Sequence, residues 1–200
     1  VKNLFIIVIL VWLLAGCQRG SVEQFVSQNL PSPSMDMSSL RVQTIHASEE
    51  GILVLYSAAD TLDPDYRYLG FAVVQEGLAG WKAGMMGSMG GDRTVLNKQT
   101  ADFTTVDISF DTSMGLHPVF THQLVYGELI APDAVTVQAV LDDGTIAQNE
   151  VTGKLFAFVT LKPNSICELH ILDAQQQLLA TITPANSDGK LPGTNCTPDQ

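Results

Sequence analysis

The chain reads as mainly β: a short N-terminal helix, a four-strand antiparallel meander, then a C-terminal β-sandwich. Three observations predict this. From Arg41 onward the apolar residues fall into short runs rich in Val, Ile, Leu, Tyr and Phe, the composition of pleated, half-buried segments. In the second half these runs recur about every 8–12 residues, as in a sandwich. Turn residues separate them, at Pro132-Asp133, Asp142-Asp143-Gly144 and Pro163-Asn164, where proline presets φ and glycine supplies positive φ.

The helix comes first. Ser21 and Gln24 have capping-box spacing, and Val22, Phe25, Val26 and Leu30 share one helical face. Pro31-Ser32-Pro33 must end it. Ser34 to Ser39 is polar, carries two methionines and reads as a loop. Val42–His46 and Ile52–Tyr56 form a hairpin through Ser48-Glu49-Glu50-Gly51. Tyr66–Gln75 is a long strand interrupted by Gly70, with a turn at Glu76-Gly77 and a return over Leu78–Met85. A bare hairpin is marginal in water, so this meander needs the helix or a neighbouring domain over it. Gly84 to Lys98, glycine-rich and then polar, reads as a junction, with Gly84–Gly91 a mobile loop whose methionines pack inward or present an adaptable contact surface.

Seven strands follow: Phe103–Phe110, Gln123–Ile130, Ala134–Leu141, Thr145–Val151, Leu155–Leu161, Ile166–Leu172 and Leu178–Thr183. Alternation places Val135, Val137, Ala139 and Leu141 on one face, likewise Leu178, Ala180 and Ile182. Cys167, Leu169 and Ile171 point inward, with Glu168 and His170 outward. Cys167 and Cys196 form an even pair, read as a disulfide in an exported chain, with two free thiols as the alternative.

The leader speaks to location. Lys2 precedes an uncharged apolar run from Leu4 to Leu14, followed by Ala15, Gly16 and Cys17. Its length suits a secretory signal of about 7–15 apolar residues and falls short of the ~20 that a spanning helix needs; an uncleaved anchor helix is the other reading. Leu14-Ala15-Gly16-Cys17 resembles a bacterial lipobox. The resemblance implies lipidation of Cys17 with diacylglyceryl and palmitate chains, cleavage before it, and anchoring to the cell membrane or outer membrane on the extracytoplasmic side. Gln18 follows where inner-membrane retention would call for Asp.

The organisation expected is therefore a signal peptide over 1–16, a lipidated tether with a short helix over 17–40, the meander over 41–98, the sandwich over 99–185, and a tail over 186–200 clipped by Cys196. Val125-Tyr126-Gly127-Glu128, Leu141-Asp142-Asp143-Gly144, the Gly153–Phe156 turn and Leu172-Asp173-Ala174 resemble small Ig-like modules of exported bacterial proteins. Gly51–Tyr56 and Gly80-Trp81-Lys82 are similar to segments of lipoproteins from Bacillus-like bacteria. That resemblance implies an Ig-like C-terminal half and an envelope location, and assigns no functional residue except Cys17.

A net charge of −11 argues against a nucleic-acid partner, whose phosphates it would repel, and against electrostatic docking on anionic lipid. No cofactor is expected. His117 and His122 lack a third ligand and a helical spacing, so they read as exposed loop histidines at a strand entry rather than a metal site; His46 and His170 read as strand residues. Asp60, Asp63 and Asp65 are the best acidic cluster, but lack the EF-hand glycine and distal glutamate. They read as a solvated loop, with cation binding left open. Asp107 and Asp111 are a weaker pair. The glycines of Gly84–Gly91 lead into no helix, which excludes a phosphate-binding loop, and Trp81 reads as core. Neither Gly-x-Ser-x-Gly nor His-Glu-x-x-His occurs. The expected function is binding or structural contact at the envelope. The alternatives are an envelope enzyme with a site built from scattered residues, and an assembly factor or inhibitor of another envelope protein.

Overall fold

The computed structural model describes residues 20–29, 33–47, 51–63, 65–77, 80–92, 100–110, 122–151, 153–162, 164–183 and 196. They form one helix, α1 (Val22–Asn29), and eleven strands: β1 (Arg41–Ala47), β2 (Ile52–Ala59), β3 (Tyr66–Gly77), β4 (Gly80–Asp92), β5 (Ala101–Ile108), β6 (His122–Leu129), β7 (Thr136–Leu141), β8 (Ile146–Glu150), β9 (Leu155–Leu161), β10 (Ile166–Leu172) and β11 (Leu178–Ile182). Leu30 of the expected helix face and Ser48-Glu49-Glu50 of the first hairpin lie outside the described residues.

The strands make three antiparallel sheets, ordered β1-β2-β3-β4, β5-β6-β9 and β11-β10-β7-β8. Alternation along β2 and β3 explains how the layers stack. Val54, Tyr56, Ala58, Ala72 and Val74 face one way and pack with Val22, Val26 and Met35. Leu53, Leu55, Leu69, Phe71 and Val73 face the other way and share a core with Ile108, Leu124, Tyr126, Leu155 and Ala157. The opposite side of that second sheet, through Val125, Leu129, Phe156 and Phe158, packs on Val137, Ala139, Ile166, Leu169 and Ile171 of the third. The order of layers is helix, meander, three-stranded sheet, four-stranded sheet. The segments 41–98 and 99–185 thus share a core, and two sheets are buried on both faces.

Ser21 caps α1 as its spacing predicts, accepting the Gln24 amide at 3.2 Å. Residues 20–29 and 33–40 are docked rather than free. Met35 is buried and bridges to Asp60, the Trp81 indole donates to the Gly20 carbonyl at 2.8 Å, and Thr44 donates to Glu23 at 2.5 Å.

Gly84–Gly91 is not a loop. The return strand continues through it to Asp92, paired with β3 as far as Tyr66 beyond a register shift between Ala72 and Val74. The expected turn residues Glu76 and Gly77 are still in the strand, since Glu76 pairs with Trp81 and Gly77 with Gly80. The glycines make room for rings: a Cβ on Gly87 would sit 2.7 Å from Phe71 Cε1, and one on Gly90 would overlap the Tyr66 ring. Aromatic cover over glycine replaces the missing side-chain contact. The same device keeps β3 continuous at Gly70, which the Tyr56 ring covers.

Other corrections are local. Val135 is exposed and Ala134 is buried in its place, since β7 begins only at Thr136. A register shift between Ile166 and Glu168 lets Ile166 join Leu169 and Ile171 in the core. Cys167, at that shift, is itself buried and bonded to Cys196, with 5.3 Å between their Cα atoms. Leu178 is exposed, whereas Ala180 and Ile182 pack inward. Gly144 has the positive φ (79°) that its hairpin requires.

Candidate functional site

Three sheet edges meet on one side of the molecule: β1 of the meander, β9 of the three-stranded sheet and β8 of the four-stranded sheet. Between them lies an open cleft of about 390 Å³, lined by Ile45, Phe110, His122, Gln148, Asn149, Val159, Leu161 and neighbouring apolar side chains. β1 brings Ile45 to a register shift between Thr44 and His46. β8 turns Asn149 across the gap, and its Nδ2 donates to the Ala157 carbonyl of β9 at 3.1 Å.

Pairing parity defines the β9 edge. Leu129 N–H donates to the Lys154 carbonyl at 2.8 Å, so in the β6–β9 register the closely bonded pairs are Gly127–Phe156 and Val125–Phe158. The backbone groups of Ala157 and Val159 therefore turn away from β6, toward the cleft. Asn149 satisfies one of them.

His122 brings the cleft its imidazole. It stands at the entry of β6, as its first residue, and its ring meets Phe110 edge-on at 5.1 Å. The lining is apolar, with one imidazole and two primary amides, and suits a neutral ligand with backbone-like hydrogen-bonding groups.

The other flagged residues lie elsewhere. Asp60 ties the β2–β3 connection together: its carboxylate accepts from Leu62 and Asp63 N–H at 2.7 and 3.2 Å and from the Tyr68 hydroxyl at 2.7 Å. The Tyr68 bond, with those amides, holds it below the usual carboxylate range. Asp63 accepts the Asp65 amide at 3.0 Å. These are turn-closing bonds. Among the described residues no group of three His, Cys, Asp or Glu side chains is placed to hold a metal ion. Asp107 pairs with Lys162 at 2.7 Å, and His170 contacts Glu168 at 2.9 Å on the outer face of the four-stranded sheet. Trp81 is half-buried beside α1. Cys17, His117 and Asp111 lie outside the described residues, and only the backbone of His46, in β1, is described.

A charge cluster that the sequence reading missed joins the meander to the second sheet. Arg67 Nη2 of β3 lies 3.4 Å from Glu128 Oε1 of β6, and Asp102 stands opposite Glu128. Burial pushes the Asp102 carboxyl up, and the Glu128 charge adds to it. No sequence signal links residues 67, 102 and 128, because only sheet stacking brings them together.

No protein-family model matches the chain, and neither a curated protein nor a solved structure is similar enough to match it.

Proposed function

We propose that the chain is a lipid-anchored extracytoplasmic protein that acts by binding, and that the cleft between β1, β8 and β9 contacts a neutral, extended segment of a partner. The observation that carries the anchor is Leu14-Ala15-Gly16-Cys17 closing an uninterrupted apolar leader. Two acyl chains hold a protein at a membrane stably where one does so only marginally. The cleft supports binding through its uncharged lining and the outward backbone groups of β9.

The same proposal takes the C-terminal half as Ig-like. With β5 to β11 lettered A to G, the sheets are A-B-E and G-F-C plus one strand. An Ig module distributes B and E, and C, F and G, in this way. Its constant form pairs D with E, whereas here the fourth strand has joined C and left E as the edge that borders the cleft.

Metabolic labelling with palmitate tests the anchor. The wild-type chain takes up label and appears in the membrane fraction with its N-terminus at Cys17, while Cys17→Ala takes up none. An unlabelled wild-type chain, or label retained in Cys17→Ala, refutes the anchor. For the cleft, Gln148→Trp should weaken partner capture without lowering stability, and unchanged capture removes the cleft from the proposal.

A further inference from the structure

Gly20 is fixed to one end of the meander. Its carbonyl accepts the Trp81 indole N–H at 2.8 Å. The helix that follows it is held to the same sheet: Val22 and Val26 are buried in the core that contains Val54 and Val74, and Thr44 donates to Glu23 at 2.5 Å. Gly20 can leave that end only if the first turn of α1 leaves with it. Trp81 pairs with Glu76 and Gly80 with Gly77, where β3 and β4 run past the first residue of β2, Ile52. Among the described residues, nothing comes within 4 Å of a Cβ built on Gly80.

Only Gln18 and Arg19 separate Gly20 from Cys17. At about 3.8 Å per peptide step, the Cα atoms of Cys17 and Gly20 lie at most ~11 Å apart in any conformation. The headgroup layer of one leaflet is itself about 5–8 Å deep. With acyl chains on Cys17 in the bilayer, Gly20 and the indole bonded to it stay within or just above that layer. The other end of the meander stands off from it. From Glu76 back to Tyr66, β3 covers about 33 Å at roughly 3.3 Å per residue. Tyr66 N–H donates to the Asp63 carbonyl at 3.0 Å, which puts the exposed Leu62 at that far end.

On the reading that Cys17 is acylated, we propose that the end of the meander carrying Gly77, Gly80 and Trp81 rests on the lipid headgroups, and that β3 and β4 rise from the bilayer with Leu62 outermost. The short tether imposes the contact, and charge sets the tilt. A chain carrying −11 is repelled by an anionic lipid surface, so the body swings away from the bilayer about its tethered end. Tryptophan suits that level, where its amphipathic ring sits among headgroups. The Phe110 end of the cleft lies at the same end of β3, since Gln75 donates to the Phe110 carbonyl at 2.8 Å, so a partner segment meets the cleft beside the bilayer.

The lipidated chain, purified from the membrane fraction, is inserted into vesicles of phosphatidylcholine and phosphatidylglycerol that carry a nitroxide on the headgroup. Cleavage before Cys17 removes Trp12 and leaves Trp81 the sole tryptophan. Its fluorescence should fall at least twofold relative to nitroxide-free vesicles. Leu62→Cys, at a site 91% exposed, supplies the one free thiol beside acylated Cys17 and the Cys167–Cys196 bond; a fluorophore on it should keep its intensity. About twenty Gly/Ser residues inserted between Arg19 and Gly20 lengthen the tether by roughly 25 Å and should return Trp81 at least halfway to its unquenched intensity. An acylated chain whose Trp81 is not quenched, equal quenching at Leu62→Cys, or a lengthened tether without effect overturns the orientation and leaves the anchor standing. An N-terminal peptide whose mass includes no acyl group overturns the anchor, and the orientation falls with it.

Discussion

Phe71→Ala tests whether the meander and the sandwich are one cooperative unit. Phe71 is 1% exposed and sits in the core shared by the first two sheets. Its ring meets Tyr126 of β6 edge-on, with centroids 5.4 Å apart and planes at 64°. Truncating a buried phenylalanine costs about 3–5 kcal/mol, which includes the cavity left behind. About 0.5–1.5 kcal/mol of that belongs to the aromatic pair. At about 2–4 °C per kcal/mol for a chain of this size, Tm should fall by roughly 6–20 °C. The informative measurement is where the loss is felt. In a Trp12→Phe background, Trp81 fluorescence follows the meander, and amide exchange in β7 and β10 follows the far sheet. Urea titrations should show both signals moving together in Phe71→Ala, by the same change in midpoint. If Trp81 shifts and protection in β7 and β10 stays at its wild-type midpoint, the shared core does not couple the layers and the argument fails.

Reducing the Cys167–Cys196 bond, which spans 29 residues, should cost about 3–4 kcal/mol in the chain-entropy account; equal midpoints with and without reductant would show that the bond adds nothing. Asp102 has a raised carboxyl pKa, so the folded state binds its proton more tightly and stability falls as pH rises from the unfolded pKa through the folded one. Asp102→Asn should therefore be more stable than wild type at neutral pH and show a flatter slope above about pH 4, as followed by thermal melts across pH; a wild-type slope in the variant would reject the assignment. Gly87→Val places a Cβ 2.7 Å from Phe71 Cε1 and should cost about 1–3 kcal/mol through overpacking, whereas the loop that sequence alone suggests would tolerate it, so an unchanged urea midpoint would contradict the strand.

The candidate site was barely legible in the sequence. Of its lining only His122 stood out, and as a histidine at a strand entry rather than as part of a cleft. Ile45, Asn149 and Val159 belong to three different sheets, and a strand pattern does not say which edges converge. Asn149 in particular looks like any polar residue on a short strand until its amide is seen reaching the Ala157 carbonyl.

Local chemistry was enough to settle most elements one at a time. The Ser21 cap, the Asp142-Asp143-Gly144 turn and the inward face of β10 at Leu169 and Ile171 follow from residues within a few positions of each other, because capping, turn φ and the two-residue period are short-range constraints. Three decisions belonged to the tertiary structure. β4 runs through Gly84–Gly91 because Phe71 and Tyr66 lie across the strand from the glycines. Ile52–Ala59 and Leu69–Val74 are apolar without clean alternation because a partner covers each face, α1 on one and the β5-β6-β9 sheet on the other. Arg67, Asp102 and Glu128 meet because those sheets stack. A period of two tells a residue which face it is on; only the packed layers say what lies above that face.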